Sequence, residues 1–92
     1  MRKSELAERI ASEHGLPKAQ AERILGTVLD TIVSAVKGGD QVALAGFGQF
    51  ELHERAAREG RNPRTGAVIP IKPQKALVFR SAKAVRDLLN PE

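Results

Sequence analysis

Apolar positions in the first part of the chain recur three and four residues apart, the spacing of one helical face. From about Lys3 to His14 these are Leu6, Ala7, Ile10 and Ala11, and Gly15 supplies a stop. Pro17 suits the start of a second helix, where a missing N–H leaves nothing unpaired. That helix is predicted over about Lys18 to Lys37. At 100° per residue, Ala21, Ile24, Leu25, Val28, Leu29, Ile32, Val33 and Val36 spread over roughly half its circumference. A single contact surface needs only about 100°. So wide a face implies two neighbours, the first helix and a second subunit. Gly38-Gly39-Asp40 ends the helix and turns the chain.

The period then changes from helical to alternating. Gln41 to Ala45 alternates around Val42 and Leu44, and Gln49 to His53 places Phe50 and Leu52 on one face with polar residues on the other. Gly46 and Gly48 between them fit a tight hairpin with close backbone packing. Phosphate binding is disfavoured, because the third glycine of a dinucleotide fingerprint is missing and no helix pattern follows. Between His53 and Lys75 the hydrophobic signal fades. Gly60-Arg61-Asn62-Pro63-Arg64-Thr65-Gly66 is dense in turn formers, which predicts a hairpin turning near residue 64 with about ten residues a side, roughly 30 Å long. Ala56, Ala57, Val68, Ile69 and Ile71 give it no continuous apolar face, so it is expected to project into solvent. Ala76 to Arg80 reads as a returning strand that brings Phe79 to the core. A short helix follows from about Ala82, with Ala84, Val85, Leu88 and Leu89 on one side, and Asn90-Pro91 ends it. The fold class is therefore α+β.

Composition sharpens this picture. At 92 residues there is room for one domain, and a chain so short buries a modest share of its surface. With three Phe and no Trp or Tyr, the core rests on Leu, Ile, Val and Ala. Cysteine is absent, which removes disulfides and thiolate metal sites and fits a reducing cytosol. The charged N-terminus lacks the apolar run of a signal peptide, and no stretch is long and apolar enough for a membrane span. The formal charge of +4 is unevenly spread. Residues 1–52 hold six Lys/Arg against seven Asp/Glu, whereas residues 53–86 hold nine against only Glu54 and Glu59. A concentrated cation on a near-neutral body is the footprint of a polyanion contact.

Candidate site residues follow from that concentration. Arg55, Arg58, Arg61 and Arg64 lie within ten residues, and guanidinium forks suit phosphate oxygens. A two-stranded ribbon can lie in a duplex groove and grip the backbone without reading sequence. Pro63 at the tip offers a compact apolar edge able to enter between base pairs and kink the duplex. Lys72, Lys75, Arg80, Lys83 and Arg86 form a second basic set where the hairpin rejoins the body.

Gly46-Phe47-Gly48-Gln49-Phe50, then Gly60-Arg61-Asn62-Pro63-Arg64-Thr65-Gly66 and Ile69-Pro70, resembles the signature of the HU/IHF family of bacterial nucleoid-associated proteins, and the order of elements matches over essentially the whole chain. The resemblance implies an intertwined dimer with a base of two N-terminal helices, a saddle of three-stranded antiparallel sheet, and a short C-terminal helix. Two long β-hairpin arms would follow the minor groove. It implies one domain over 1–92, with a helical dimerisation base at 1–39, saddle and last helix at 40–53 and 76–92, and the DNA-binding arm at 54–75. Pro63 falls on the family's intercalating proline; Arg55, Arg58, Arg61, Asn62 and Arg64 fall on its basic arm; Arg80, Lys83 and Arg86 fall on flank positions beside the kinks. The implied partner is double-stranded DNA, with a homodimer or a heterodimer of related subunits, a cytoplasmic, nucleoid-associated location, and no cofactor or metal. Ala82 stands where many relatives have Gly, and Pro17 where many have a Ser or Thr cap. Ile69-Pro70-Ile71 and Val78-Phe79-Arg80 lean toward the IHF branch while other stretches look like HU, so sequence preference stays open.

Other function classes fare worse. His14 and His53 are far apart in sequence and lack partners for nucleophilic or metal chemistry, and Glu5, Glu8, Glu13 and Glu22 read as solvated helix faces. No Walker A pattern is present. An RNA- or ribosome-associated protein would also use a basic hairpin, but the chain has no aromatic platform for stacking single-stranded bases.

Overall fold

The computed structural model describes residues 1–55 and 58–91. The expectation for Ala56 and Ala57 lies outside them, as do the side chains of Arg55, Arg58, Glu59 and Ile71. The described chain forms two compact units, Met1–Ser34 and Ala35–Glu92.

The first unit holds α1 (Lys3–His14) and most of α2 (Lys18–Lys37). Both helices have the predicted limits. The Arg2 carbonyl accepts from the N–H groups of Glu5 and Leu6 to start α1. Gly15 ends it at φ +63°, where the N–H groups of Gly15 and Leu16 return to the Ala11 carbonyl. The Pro17 carbonyl in turn accepts from Gln20 and Ala21, so the proline begins α2 as expected. Ala7 and Ala21 are fully buried, and the Lys18 ammonium reaches the Glu8 carboxylate at 3.0 Å. Ile24, Val28, Leu29 and Val33 on α2 remain 42–55% exposed.

The second unit carries the end of α2, then β1 (Val42–Leu44), β2 (Gly48–Arg55), β3 (Arg58–Arg61), β4 (Val68–Ile71), β5 (Gln74–Ser81) and α3 (Lys83–Leu89). The strands form an antiparallel sheet in the order β1-β2-β5 and a two-stranded ribbon, β3-β4. Strand β2 pairs with β5 from Gly48↔Ser81 to Arg55↔Gln74, and β3 with β4 from Arg58↔Ile71 to Arg61↔Val68. Both registers are symmetric about the point midway between Arg64 and Thr65. Sheet and ribbon are thus successive stretches of one hairpin. Pro73, which has no N–H to donate to a ladder, stands in the interval between β4 and β5.

Close packing holds the sheet end of this hairpin. Phe79 lies between two rings, with centroids 5.0 Å from Phe47 and 4.9 Å from Phe50. Gly48 is buried, and a Cβ there would run into the Arg80 carbonyl and sit 2.6 Å from the Phe79 ring. The expected reason for glycine, close backbone approach, is the observed one. The core differs from expectation in extent. Phe79 is still 40% exposed, while Leu88 and Leu89 of α3 are 79% and 73% exposed. The described hydrophobic core is limited to Ala7, Ala21, Ile32 and Val36, because one short chain has too few layers to cover every apolar face.

Candidate nucleic-acid interface

The hairpin tip is built by turn chemistry. After the last ladder pair, Arg61↔Val68, the Asn62 N–H donates to the Ala67 carbonyl at 2.9 Å, and the Gly66 N–H to the Asn62 carbonyl at 2.7 Å. The Arg64 N–H donates to the Asn62 side-chain oxygen at 2.8 Å, and the Ala67 N–H to the Thr65 hydroxyl at 3.2 Å. Gly66 has φ +72°, a conformation that a residue with a Cβ adopts only with strain. Pro63 sits on the outside of this turn. It is exposed, as are Arg61, Arg64 and Lys72, and no carboxylate of a described residue lies within 4.0 Å of these three cations. Exposed guanidinium groups on both sides of an exposed proline can take phosphate oxygens while the ring meets a base step. Arg55 and Arg58 are placed by their backbone alone, in β2 and β3.

The second basic set lies where β5 runs into α3. The Ala82 N–H donates to the Phe47 carbonyl at 2.8 Å, which ties the start of α3 to the turn between β1 and β2. Beside it lies a groove of about 530 Å³ whose lining includes Leu44, Gly46, Gln49, Arg80, Lys83 and Arg86. Three of the cations here, Lys75, Arg80 and Lys83, differ from those at the tip in having acidic neighbours. Lys75 is 3.7 Å from Glu54 and Lys83 is 3.5 Å from Asp87, both exposed pairs. Arg80 is bound to Glu51 across the ladder. Arg86, like the tip cations, has no described carboxylate within 4.0 Å.

Sequence reasoning missed the importance of Glu51. Its carboxylate is only 13% exposed, in contact with Arg80, 3.0 Å from the His53 ring nitrogen, and 3.4 Å from the side-chain amides of Gln41 and Gln49. The hydrogen bond from His53, followed by that from Arg80, holds the Glu51 carboxyl below its ordinary value, against the opposing effect of partial burial. The missing signal was register. Folding the chain about the Arg64–Thr65 midpoint places Gln49 opposite Arg80 and Glu51 beside it. Among the described residues no helix is long and apolar enough to cross a membrane, and no three acidic or histidine side chains gather as a metal site.

Fold and site together define an α+β protein whose antiparallel sheet extends into a cationic two-stranded ribbon. The chain belongs to the bacterial DNA-binding protein family, whose model matches residues 1–90. It is 48% identical to the DNA-binding protein HU-beta of Pseudomonas aeruginosa over 90 residues, 98% of this chain and all of that protein. It is 46% identical to HU-beta of Escherichia coli over the same share of each. Among solved structures, HU in an Anabaena HU–DNA cocrystal is 41% identical, covers 100% of both chains and superposes with a TM-score of 0.88. HU from Thermotoga maritima is 29% identical, with a TM-score of 0.65 over 98% of this chain.

Proposed function

We propose that the protein is an architectural DNA-binding protein that grips the minor groove with its basic β-arm, kinks the duplex at Pro63 and compacts it, largely without regard to sequence. The observation that carries this reading is the exposed tip, with Pro63 between Arg61 and Arg64, which have no carboxylate partner among the described residues, at the end of a hairpin that shares the sheet's register. The similarity to HU in a complex with DNA supports it, and HU-beta relatives at 46–48% identity favour HU behaviour over a sequence-preferring IHF subunit. Arg55, Arg58, Arg61, Asn62, Arg64, Lys72, Lys75, Arg80, Lys83 and Arg86 are the proposed DNA-facing residues. The whole chain acts as one domain, with 1–39 as base, 40–53 and 76–92 as saddle and last helix, and 54–75 as arm.

The same reading includes a homodimer. Exposed Ile24, Val28, Leu29 and Val33 on α2 and Leu88 and Leu89 on α3 are apolar surface that a second copy would cover. The working location is the cytoplasm, on the nucleoid.

Bending tests the function directly. Fluorescence energy transfer across a labelled duplex should report a strong bend with the natural protein and a much smaller one with Pro63→Ala, at nearly unchanged affinity. Binding should weaken with salt with a log–log slope of roughly −5, as for about six neutralised phosphates. Equal bending by both proteins would remove the wedge, and a flat salt dependence would remove the phosphate grip.

A further inference from the structure

We infer that Asn62 is a positioning residue, whose side-chain oxygen sets the turn that presents Pro63 and does so before any duplex is bound. The inference rests on the bending role proposed for Pro63 and deepens it. The tip contains five backbone N–H groups between Asn62 and Ala67, since Pro63 has none. Those of Asn62 and Gly66 close on backbone carbonyls. The Arg64 N–H has a different partner, the Asn62 side-chain oxygen at 2.8 Å. A backbone N–H can only donate, so the amide atom facing it must be the oxygen, and the Nδ2 group is the one turned away. Burial points the same way. Asn62 is half-buried between exposed Arg61 and exposed Pro63, so its side chain is folded into the turn.

The bond spans Pro63. Its donor is the residue after the proline and its acceptor the residue before, so it restrains the ring from both ends. The proline's own φ is set by its ring, which leaves the flanking torsions as the freedom to be removed. Thr65 makes a bond of the same kind further along the turn, across Gly66, from the Ala67 N–H to its hydroxyl. A wedge that unstacks a base step loses effectiveness if binding must first order its support. An amide oxygen that holds the turn from within the chain removes that ordering step.

Asn62→Ala and Asn62→Ser separate this role from direct contact with DNA. Serine lacks the Nδ2 donor but keeps a short acceptor able to form the same kind of turn. The full-length protein is used, with solvent exchange of the Arg64 amide measured by NMR in the absence of DNA and duplex bending by energy transfer. For Asn62→Ala, amide exchange should rise about tenfold, and bending should fall by a larger factor than affinity does, since phosphate contacts dominate affinity. Asn62→Ser should recover both. Unchanged exchange and unchanged bending in Asn62→Ala would overturn the inference. So would equal loss of bending in both variants with the Arg64 amide still protected, because the side chain would then be acting on DNA itself. Failure of the natural protein to bend DNA would sink the proposed function instead, and the exchange comparison would still show whether Asn62 sets the turn.

Discussion

The sheet and the arm are two halves of one hairpin in one register, yet they are stabilised in opposite ways. In the sheet, cross-strand partners are Phe50↔Phe79 and Leu52↔Leu77, with Glu51 and Arg80 joined on the other face. In the arm they are Gly60↔Ile69 and Arg61↔Val68, which offer no large apolar pair, and the tip is held by hydrogen bonds to the backbone. Charges follow the same division. Arg80 and Lys75 have carboxylate neighbours, whereas Arg61, Arg64 and Lys72 have none among the described residues. A register set by packing at one end is thus extended into a segment that cannot supply packing of its own, and the cations there stay free for an external anion.

Glycine substitutions should break this comparison most sharply. At Gly48 an added methyl meets a backbone carbonyl and a ring inside the sheet. Gly48→Ala should lower stability by about 1–3 kcal/mol, read as a fall in melting temperature. Gly66 has a strained φ but open space around it, so Gly66→Ala carries only the local conformational cost, about 1–2 kcal/mol. That cost should appear as faster amide exchange at the tip with the global melt nearly unmoved, because the arm opens independently. Equal melting shifts for both would show that arm and sheet unfold as one unit.

Arginine substitutions give the next effect. Arg61→Ala should flatten the salt slope of DNA binding by about one unit and weaken all sequences alike. Arg80→Ala should change the slope less, because Glu51 already neutralises this guanidinium, and should instead destabilise the protein by removing the arginine partner of a largely covered Glu51 carboxylate. Identical slopes for the two variants would mean that pairing in the free chain does not matter to binding.

Acid should produce the smallest effect. The Glu51 carboxyl is depressed in the folded chain, so its contribution to stability is complete above the ordinary value of about 4.5 and is lost as pH falls through the lower folded value. Glu51→Gln should therefore narrow the difference in melting temperature between neutral and acidic buffer. An unchanged difference would show that other carboxylates set the acid response.

The readable parts of this protein were those governed by local rules. Helical spacing located α1 and α2, Gly15 and Pro17 marked the break between them, and the turn formers around Asn62-Pro63 placed the hairpin midpoint where the register puts it. Arginine density marked the ribbon as cationic before any strand was placed. Other features depend on which residues meet across the hairpin, and composition says nothing of that. The Glu51–Arg80–His53 cluster joins positions up to 29 residues apart. Gly48 is required by a ring and a carbonyl brought from β5. Asn62 read as a member of a basic arm, and only the folded turn put its oxygen on the Arg64 amide. Periodicity and turn preference act over a few residues and can be read along the chain; pairing, burial and the neutralisation of a charge are properties of neighbours in space, which only the tertiary structure supplies.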